Sequence, residues 1–227
     1  MKRCCGAFAV PDLPREPPAP AAVDVPDFRL YLDDPYRYAL AKLLRLEPIR
    51  IEAFEMDPLL FGSLAHQVLE RFGNDPAVRD EREPAPIRTF LLDTLSKLAC
   101  ERFGEHPLPA VRVQLARLEQ RFRDFADKQA RWRTEGWRIE AVERRFRDEI
   151  ALEIPGEDPM PLRASIDRID RHESTGVVRI IDYKTSESGD GPHETHHGKK
   201  LIPDPLEWID LQLPLYHHLL ERAGFDL

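Results

Sequence analysis

The segment LRASIDRIDRHESTGVVRIIDYK, residues 162–184, decides the fold. Its two runs of alternating apolar and polar residues, Leu162 to Asp170 and Val177 to Lys184, flank the turn-like stretch His172 to Gly176. Alternation with a period of two is typical of a half-buried β-strand, and two such runs around a short turn predict a β-hairpin. We therefore expect an antiparallel strand pair at the centre of a sheet.

The register of this hairpin brings charged side chains together. A turn centred between Ser174 and Thr175 places Asp167 opposite Asp182, with Lys184 on the same face. Directly opposed carboxylates destabilise a sheet unless a cation lies between them. A hard divalent cation such as Mg²⁺ is coordinated by carboxylate oxygens together with substrate phosphates. The pattern thus suits phosphodiester hydrolysis. The alternative is a surface hairpin with ordinary solvated ion pairs, and spacing alone does not distinguish the two.

Composition and charge limit the class of protein. The 227 residues are 42% apolar, which predicts one globular domain, and no apolar run approaches the ~18 residues of a membrane span. A net charge of −8 argues against a uniformly basic surface that coats nucleic acid, although residues 111–147 carry 11 basic and 6 acidic side chains. The three cysteines (Cys4, Cys5 and Cys100) form no C-x-x-C pair, so we expect a reducing, cytoplasmic setting.

The chain divides into a tail and one domain. Six prolines within residues 1–26 predict an extended tail or linker, so the folded domain is expected at 27–227. Helical spacing predicts helices over Tyr36 to Leu46, Leu59 to Phe72, Pro86 to Phe103 and Val111 to Arg133. A strand over Trp137 to Arg147 precedes the hairpin, and a long polar loop, Thr185 to Pro205, precedes a last helix that contains Gln212 and Tyr216.

Several motifs occur in a recognisable order. The hairpin motifs Ser165 to Asp170 and Ile180 to Thr185 resemble the core of the PD-(D/E)xK nucleases, particularly the RecB-like branch with its RecB/AddB-type exonuclease domains. Further similarity lies in Asp34 to Tyr38, in the G-x-x-x-H-x-x-L-E helix at Phe61 to Glu70, and in the Q-x-x-x-Y segment Gln212 to Tyr216. The resemblance extends from about Phe28 to Leu220. It implies an α/β, restriction-endonuclease-like fold with a helical N-terminal half and a mixed central sheet flanked by helices.

The resemblance also implies roles for individual residues. His66, Asp167 and Asp182 would bind Mg²⁺ or Mn²⁺, with the backbone carbonyl of Tyr183 as a further ligand, and Lys184 would orient or activate the attacking water. Gln212 and Tyr216 would hold a phosphate or steady Lys184. We expect Lys199 and Lys200, in the polar loop, to contact the substrate backbone, although a loop without such a role is the alternative.

One feature of some relatives is not expected here. Several RecB-like nucleases hold an iron–sulfur cluster with one cysteine before the opening helix and three near the C-terminus. In this chain Asp34 stands at the first of these positions, so no iron–sulfur cluster is predicted.

The functional expectation is a metal-dependent DNA exonuclease domain acting in repair or recombination. DNA is the expected partner, and a helicase domain or subunit is a further candidate. Binding to a membrane is not expected. The competing hypotheses are a non-cleaving module that guides DNA or binds proteins, and a stand-alone nuclease of CRISPR or defence systems.

Overall fold

A computed structural model describes residues 22–46, 55–156, 158–185 and 210–225. The helices are α1 (Asp27–Asp33), α2 (Pro35–Tyr38, which continues as a π-helical turn, Ala39–Leu43), α3 (Pro58–Asn74), α4 (Pro84–Phe103), α5 (Pro109–Thr134) and α6 (Gln212–Arg222). The strands are β1 (Val23–Asp24), β2 (Trp137–Leu152), β3 (Met160–His172) and β4 (Val178–Ile181).

The described strands form one mixed sheet with β3 at its centre. Strand β2 pairs antiparallel along one side of β3, while β1 (parallel) and β4 (antiparallel) pair along the other side. The predicted class is confirmed as a mixed α/β structure with a helical N-terminal half and a sheet flanked by helices, consistent with a restriction-endonuclease-like fold. None of the described helices combines the length and the apolar character needed to cross a bilayer.

The predicted hairpin register is confirmed. Arg168 pairs with Ile181, and Arg171 with Val178, as a turn centred between Ser174 and Thr175 requires. The predicted end of the second strand at Lys184 is wrong, since β4 stops at Ile181. The physical reason is that the carboxylate of Asp167 accepts a hydrogen bond from the backbone N–H of Tyr183, which takes that donor away from strand pairing.

The N-terminal region is more interrupted than its periodicity suggests. The predicted helix over Tyr36 to Leu46 is short, because α2 gives way to the π-helical turn, which ends at Leu43. Asp34 is extended and caps α2 by accepting from Arg37 N, and Pro35 takes the first helical position. Before α1, residues 23–25 pack on β3, and Val25 is buried. The division of the chain at residue 26 remains a prediction, and residues 1–21 lie outside the described part.

Two apolar clusters hold the layers together. One cluster joins α3, α4 and α5 to β2 and includes Phe72, Leu91 and Phe122. The other cluster joins α6 to strands β2, β3 and β4 and includes Ile166 and Leu219. The helices predicted over Leu59 to Phe72, Pro86 to Phe103 and Val111 to Arg133 are confirmed as α3, α4 and α5, and the predicted strand from Trp137 continues to Leu152.

Two glycines let α3 lie against the sheet region. A Cβ atom on Gly73 would overlap Cγ1 of Val142 in β2, and one on Gly62 would lie 3.2 Å from Oγ1 of Thr185. His66 stands between them, one helical turn after Gly62 and two turns before Gly73. The absence of side chains at these points brings the imidazole close to the strands.

We expect Gly73→Ala to lower the free energy of unfolding by about 1–3 kcal/mol, because the added methyl must displace a stiff β-branched side chain. Urea unfolding of the single variants and of Gly73→Ala/Val142→Ala measures this effect. The second change makes room, so the double variant should recover part of the loss. If Gly73→Ala is as stable as the wild type, α3 and β2 do not make this contact.

Candidate metal centre

His66, on α3, faces the carboxylates of Glu143 in β2 and Asp167 in β3. Its Nδ1 lies 3.6 Å from Oε1 of Glu143 and 3.5 Å from Oδ1 of Asp167, and its Nε2 lies 3.2 Å from the carbonyl oxygen of Tyr183. One candidate ligand atom from each of His66, Glu143 and Asp167 falls within 4.8 Å of the other two. An imidazole and two carboxylates therefore converge, and a backbone carbonyl lies at the other nitrogen of the imidazole.

Glu143 is the site residue that the sequence did not reveal. Val142 pairs with Arg168 and Arg144 with Ile166, so Glu143 lies opposite Asp167. Its φ of 46° is in the left-handed region, which is rare for a residue other than glycine and is often found at functional sites. Ser165 Oγ donates to Oε2 of Glu143 at 3.0 Å and holds the carboxylate in place.

A second group of polar side chains lies directly after β4. Lys184 Nζ lies 2.7 Å from Oδ2 of Asp182 and donates to Oε1 of Gln212 at 2.9 Å. Gln212 Nε2 in turn donates to Oδ1 of Asp182 at 2.8 Å and to the hydroxyl of Tyr216 at 2.9 Å. The Tyr216 hydroxyl donates to the Ser165 carbonyl at 2.8 Å, so this group is tied to β3. Pro214 lies in the first turn of α6, where it breaks no helical hydrogen bond.

The predicted site residues thus occupy two neighbouring groups. His66, Asp167 and the Tyr183 carbonyl are together in the first, and Asp182, Lys184, Gln212 and Tyr216 are together in the second. Both carboxylate oxygens of Asp182 are engaged by Lys184 and Gln212 rather than by the His66 group. Lys199 and Lys200 lie outside the described residues.

The first group has two carboxylates beside one imidazole, and all three side chains are at least partly buried. Burial is the main cause that raises the pKa of Asp167 to about 6; His66 and the hydrogen bond from the Tyr183 N–H oppose the rise, and the charges of Asp182 and Glu143 add to it. The close contact with Glu143 raises the pKa of His66, and the same contact lowers the pKa of Glu143. A bound cation would relieve the cost of ionising Asp167 there.

The sequence profile of the PD-(D/E)XK nuclease superfamily matches residues 25–227. The chain belongs to this superfamily. No curated protein matches the chain. As a PD-(D/E)XK protein it is a metal-dependent nuclease. The assignment of the acidic and lysine positions of the motif to Asp167 and to Asp182-Tyr183-Lys184 stays a prediction from the sequence.

The residues of this PD-(D/E)XK chain fit a divalent metal. Carboxylate and carbonyl oxygens suit Mg²⁺ and Mn²⁺, and an imidazole nitrogen is a common further ligand for a transition metal. Glu143 and Asp167 provide the carboxylates, Tyr183 the carbonyl and His66 the imidazole. The donor set matches the divalent metals that PD-(D/E)XK nucleases use.

Titration of Asp167 predicts a pH-dependent stability. Because burial raises its folded-state pKa to about 6, the protonated carboxyl stabilises the fold at low pH, and this contribution is lost as the pH rises through that value. Asp167→Asn should therefore raise the free energy of unfolding of the metal-free protein by on the order of 2 kcal/mol at about pH 7.5, and by much less at about pH 4.5.

Urea unfolding in EDTA at the two pH values measures the effect. Asp93→Asn, an exposed change on α4, is the control and should alter stability little at either pH. An equal gain for Asp167→Asn at both pH values would show that the charge of Asp167 carries no cost in the fold.

Proposed function

We propose that this chain hydrolyses phosphodiester bonds in DNA with Mg²⁺ or Mn²⁺, as an exonuclease domain of the RecB/AddB type that acts in repair or recombination. The observation that carries the proposal is the arrangement of His66, Glu143 and Asp167 around one point, with Lys184 in the adjoining group. The first group offers ligands for a cation, and the second offers a positive charge for the reacting phosphate.

In the proposed site, His66, Glu143, Asp167 and the Tyr183 carbonyl would hold the cation. Asp182, which the sequence motif assigns as a ligand, stays a candidate ligand from the neighbouring group. A divalent cation bound there would polarise the phosphate and lower the pKa of the attacking water. Ser165 keeps the Glu143 carboxylate in position, since its hydroxyl donates to Oε2.

Lys184 has the geometry of an orienting cation. Its ammonium bonds to both Asp182 and Gln212, while about half of the side chain is exposed. An ammonium has three donors, so one remains for a phosphate oxygen or for the attacking water. Tyr216 steadies Gln212, and Gln212 steadies Lys184 and Asp182, which supports the proposed role of the Q-x-x-x-Y motif. Lys184 would act on charge that develops in the transition state.

A basic cavity supports DNA as the substrate. It has a volume of about 450 Å³ and is lined by Arg145, Arg147, Arg163 and Ser165, among others. Ser165 also bonds to Glu143, so the cavity adjoins the candidate metal centre. The cavity wall has four basic residues, the three arginines and Lys42, and two acidic residues, Asp24 and Asp27. Such a local excess of positive charge would hold phosphates on a chain whose net charge is −8.

Two other arginines, both buried, hold the fold together through ion pairs. Arg133 is buried and bonds to Asp80 and Glu173, and Arg168 is buried and bonds to Asp170. These side chains support structure rather than DNA. The proposed DNA contacts are the arginines that line the cavity, because they adjoin the candidate metal centre, with Lys199 and Lys200 as further candidates.

The remaining parts of the proposal rest on the resemblance. Action beside a helicase domain or subunit, a folded unit at 27–227 and a cytoplasmic location follow from it or from composition. The non-cleaving alternative is less favoured, since His66, Asp167, Asp182 and Lys184 are all present and adjacent to one another. A stand-alone defence nuclease differs from the proposal in its partners and not in its chemistry.

Incubation with end-labelled linear DNA and with circular DNA, in Mg²⁺, Mn²⁺ or EDTA, tests the proposed function. Linear DNA should be shortened from its ends with either metal, and circular DNA and the EDTA samples should stay intact. Cleavage of the circle would replace the exonuclease assignment with an endonuclease one. Intact linear DNA in every sample would favour the non-cleaving module.

Lys184→Ala should lower the single-turnover cleavage rate by on the order of 10²-fold, because the ammonium acts mainly in the transition state. Metal and DNA binding should change little. Lys97→Ala, an exposed change on α4, is the matched control and should cleave like the wild type. Near-normal cleavage by Lys184→Ala would remove Lys184 from the reaction.

A further inference from the structure

A second cavity lies on the other flank of the candidate metal centre, between α3, α5 and the segment after β4. We call it the α5 pocket, and its volume is about 260 Å³. Asp182, Tyr183 and Lys184 contribute to its wall, so anything bound in it would lie beside the proposed reacting phosphate. The remaining residues used in the argument are Arg121, Phe125, Lys128 and Trp132.

The floor of the α5 pocket is aromatic and apolar. Phe125 and Trp132 are half-buried, and behind them Leu118 and Phe122 are buried in the core. The Phe125 ring is held edge-on by the rings of Phe72 and Tyr183, at centroid distances of 5.9 and 6.1 Å. The Phe125 ring is therefore fixed in place, with little ordering left to occur when a flat ligand binds. The Trp132 ring is already covered by cations, since Arg179 Cζ lies 4.3 Å from its centroid, so Phe125 is the aromatic surface that the pocket offers.

The rim of the α5 pocket is positively charged. Arg121 donates to the carbonyl of Thr185 at 2.7 Å, which fixes its guanidinium at the edge of the cavity. Lys128 is exposed, and its Nζ lies 4.9 Å from the centroid of the Trp132 ring. With Lys184 these make three cations on the wall, against the single carboxylate of Asp182.

This combination selects the class of ligand. Nucleobases stack on aromatic side chains regardless of sequence, and the cations around them bind the backbone phosphates. An apolar peptide segment would use the floor but would have no need of three cations around it. A base inside a duplex cannot enter a pocket without leaving its partner, so the ligand must be unpaired.

We propose that the α5 pocket binds one unpaired nucleobase of the DNA strand that is cut, next to the scissile phosphate. The proposal rests on the proposed nuclease function and specifies its substrate: the strand enters the site as a single strand or as a frayed end. Phe125 stacks on the base, and Arg121 and Lys128 bind the flanking phosphates.

Binding in EDTA tests the pocket without any cleavage. Fluorescence anisotropy compares an ordinary labelled oligodeoxynucleotide with an abasic strand of the same length, which keeps the phosphates and lacks the bases. The wild type should bind the ordinary strand about tenfold more tightly, as expected for the loss of one or more stacked bases. Equal affinity for the two strands would overturn the proposal.

Matched variants locate the effect. Phe125→Leu and Phe90→Leu each remove a half-buried ring that packs on Phe72, but only Phe125 lines the pocket. Phe125→Leu should lose most of the preference for the ordinary strand, and Phe90→Leu should keep it. Loss in both variants, or in neither, would place the stacking surface elsewhere.

Lys128→Ala gives a test that does not depend on the core, because Lys128 is exposed. It should weaken binding of both strands several-fold, whereas Lys97→Ala should not. Unchanged binding in Lys128→Ala would exclude the phosphate contact at the rim. Failure of the nuclease proposal would show separately, as an absence of metal-dependent cleavage with base-selective binding intact.

Discussion

The hydrogen bond from the backbone N–H of Tyr183 to Oδ2 of Asp167, 2.7 Å long, sets the geometry of the whole site. It ends the pairing of β4 at Ile181 and turns the chain so that the Tyr183 carbonyl faces His66. The same turn places Asp182 and Lys184 where Gln212 of α6 can bind both. One carboxylate therefore acts at once as a strand terminator and as a candidate metal ligand.

The fold supports this arrangement from behind. Arg168 is fully buried, and it donates to Gln129 at 2.7 Å and to the Tyr183 hydroxyl at 3.3 Å, while Asp170 balances its charge. The ring of Tyr183 is thus anchored in the interior while its carbonyl faces the site. At the candidate metal centre itself, the strained backbone of Glu143 and the burial of Asp167 both lower the stability of the fold. A cation among these groups would offset part of that cost.

Sequence patterns predicted the parts of this architecture that are local. The hairpin register followed from alternation and a short turn, and α3, α4 and α5 followed from helical spacing, each beginning one or two residues earlier than predicted, at a proline. Glu143 was missed because the register of β2 shifts between Ile139 and Ala141. Without this bulge Val142 would lie opposite Asp167, and no feature of the sequence marks the position of the bulge. The end of β4 was missed because a side chain, not the backbone, accepts from Tyr183.

The central claim is that Glu143 completes a cation site with His66, Asp167 and the Tyr183 carbonyl. Calorimetric titration of Mn²⁺ into Glu143→Gln tests it most directly, with Glu140→Gln as the control, since Glu140 is on the same strand and forms a surface ion pair with Arg171. The account predicts that Glu143→Gln binds Mn²⁺ at least about tenfold more weakly than the wild type, as expected for a lost ligand, and that Glu140→Gln binds it normally. Equal affinity in the two variants would contradict it.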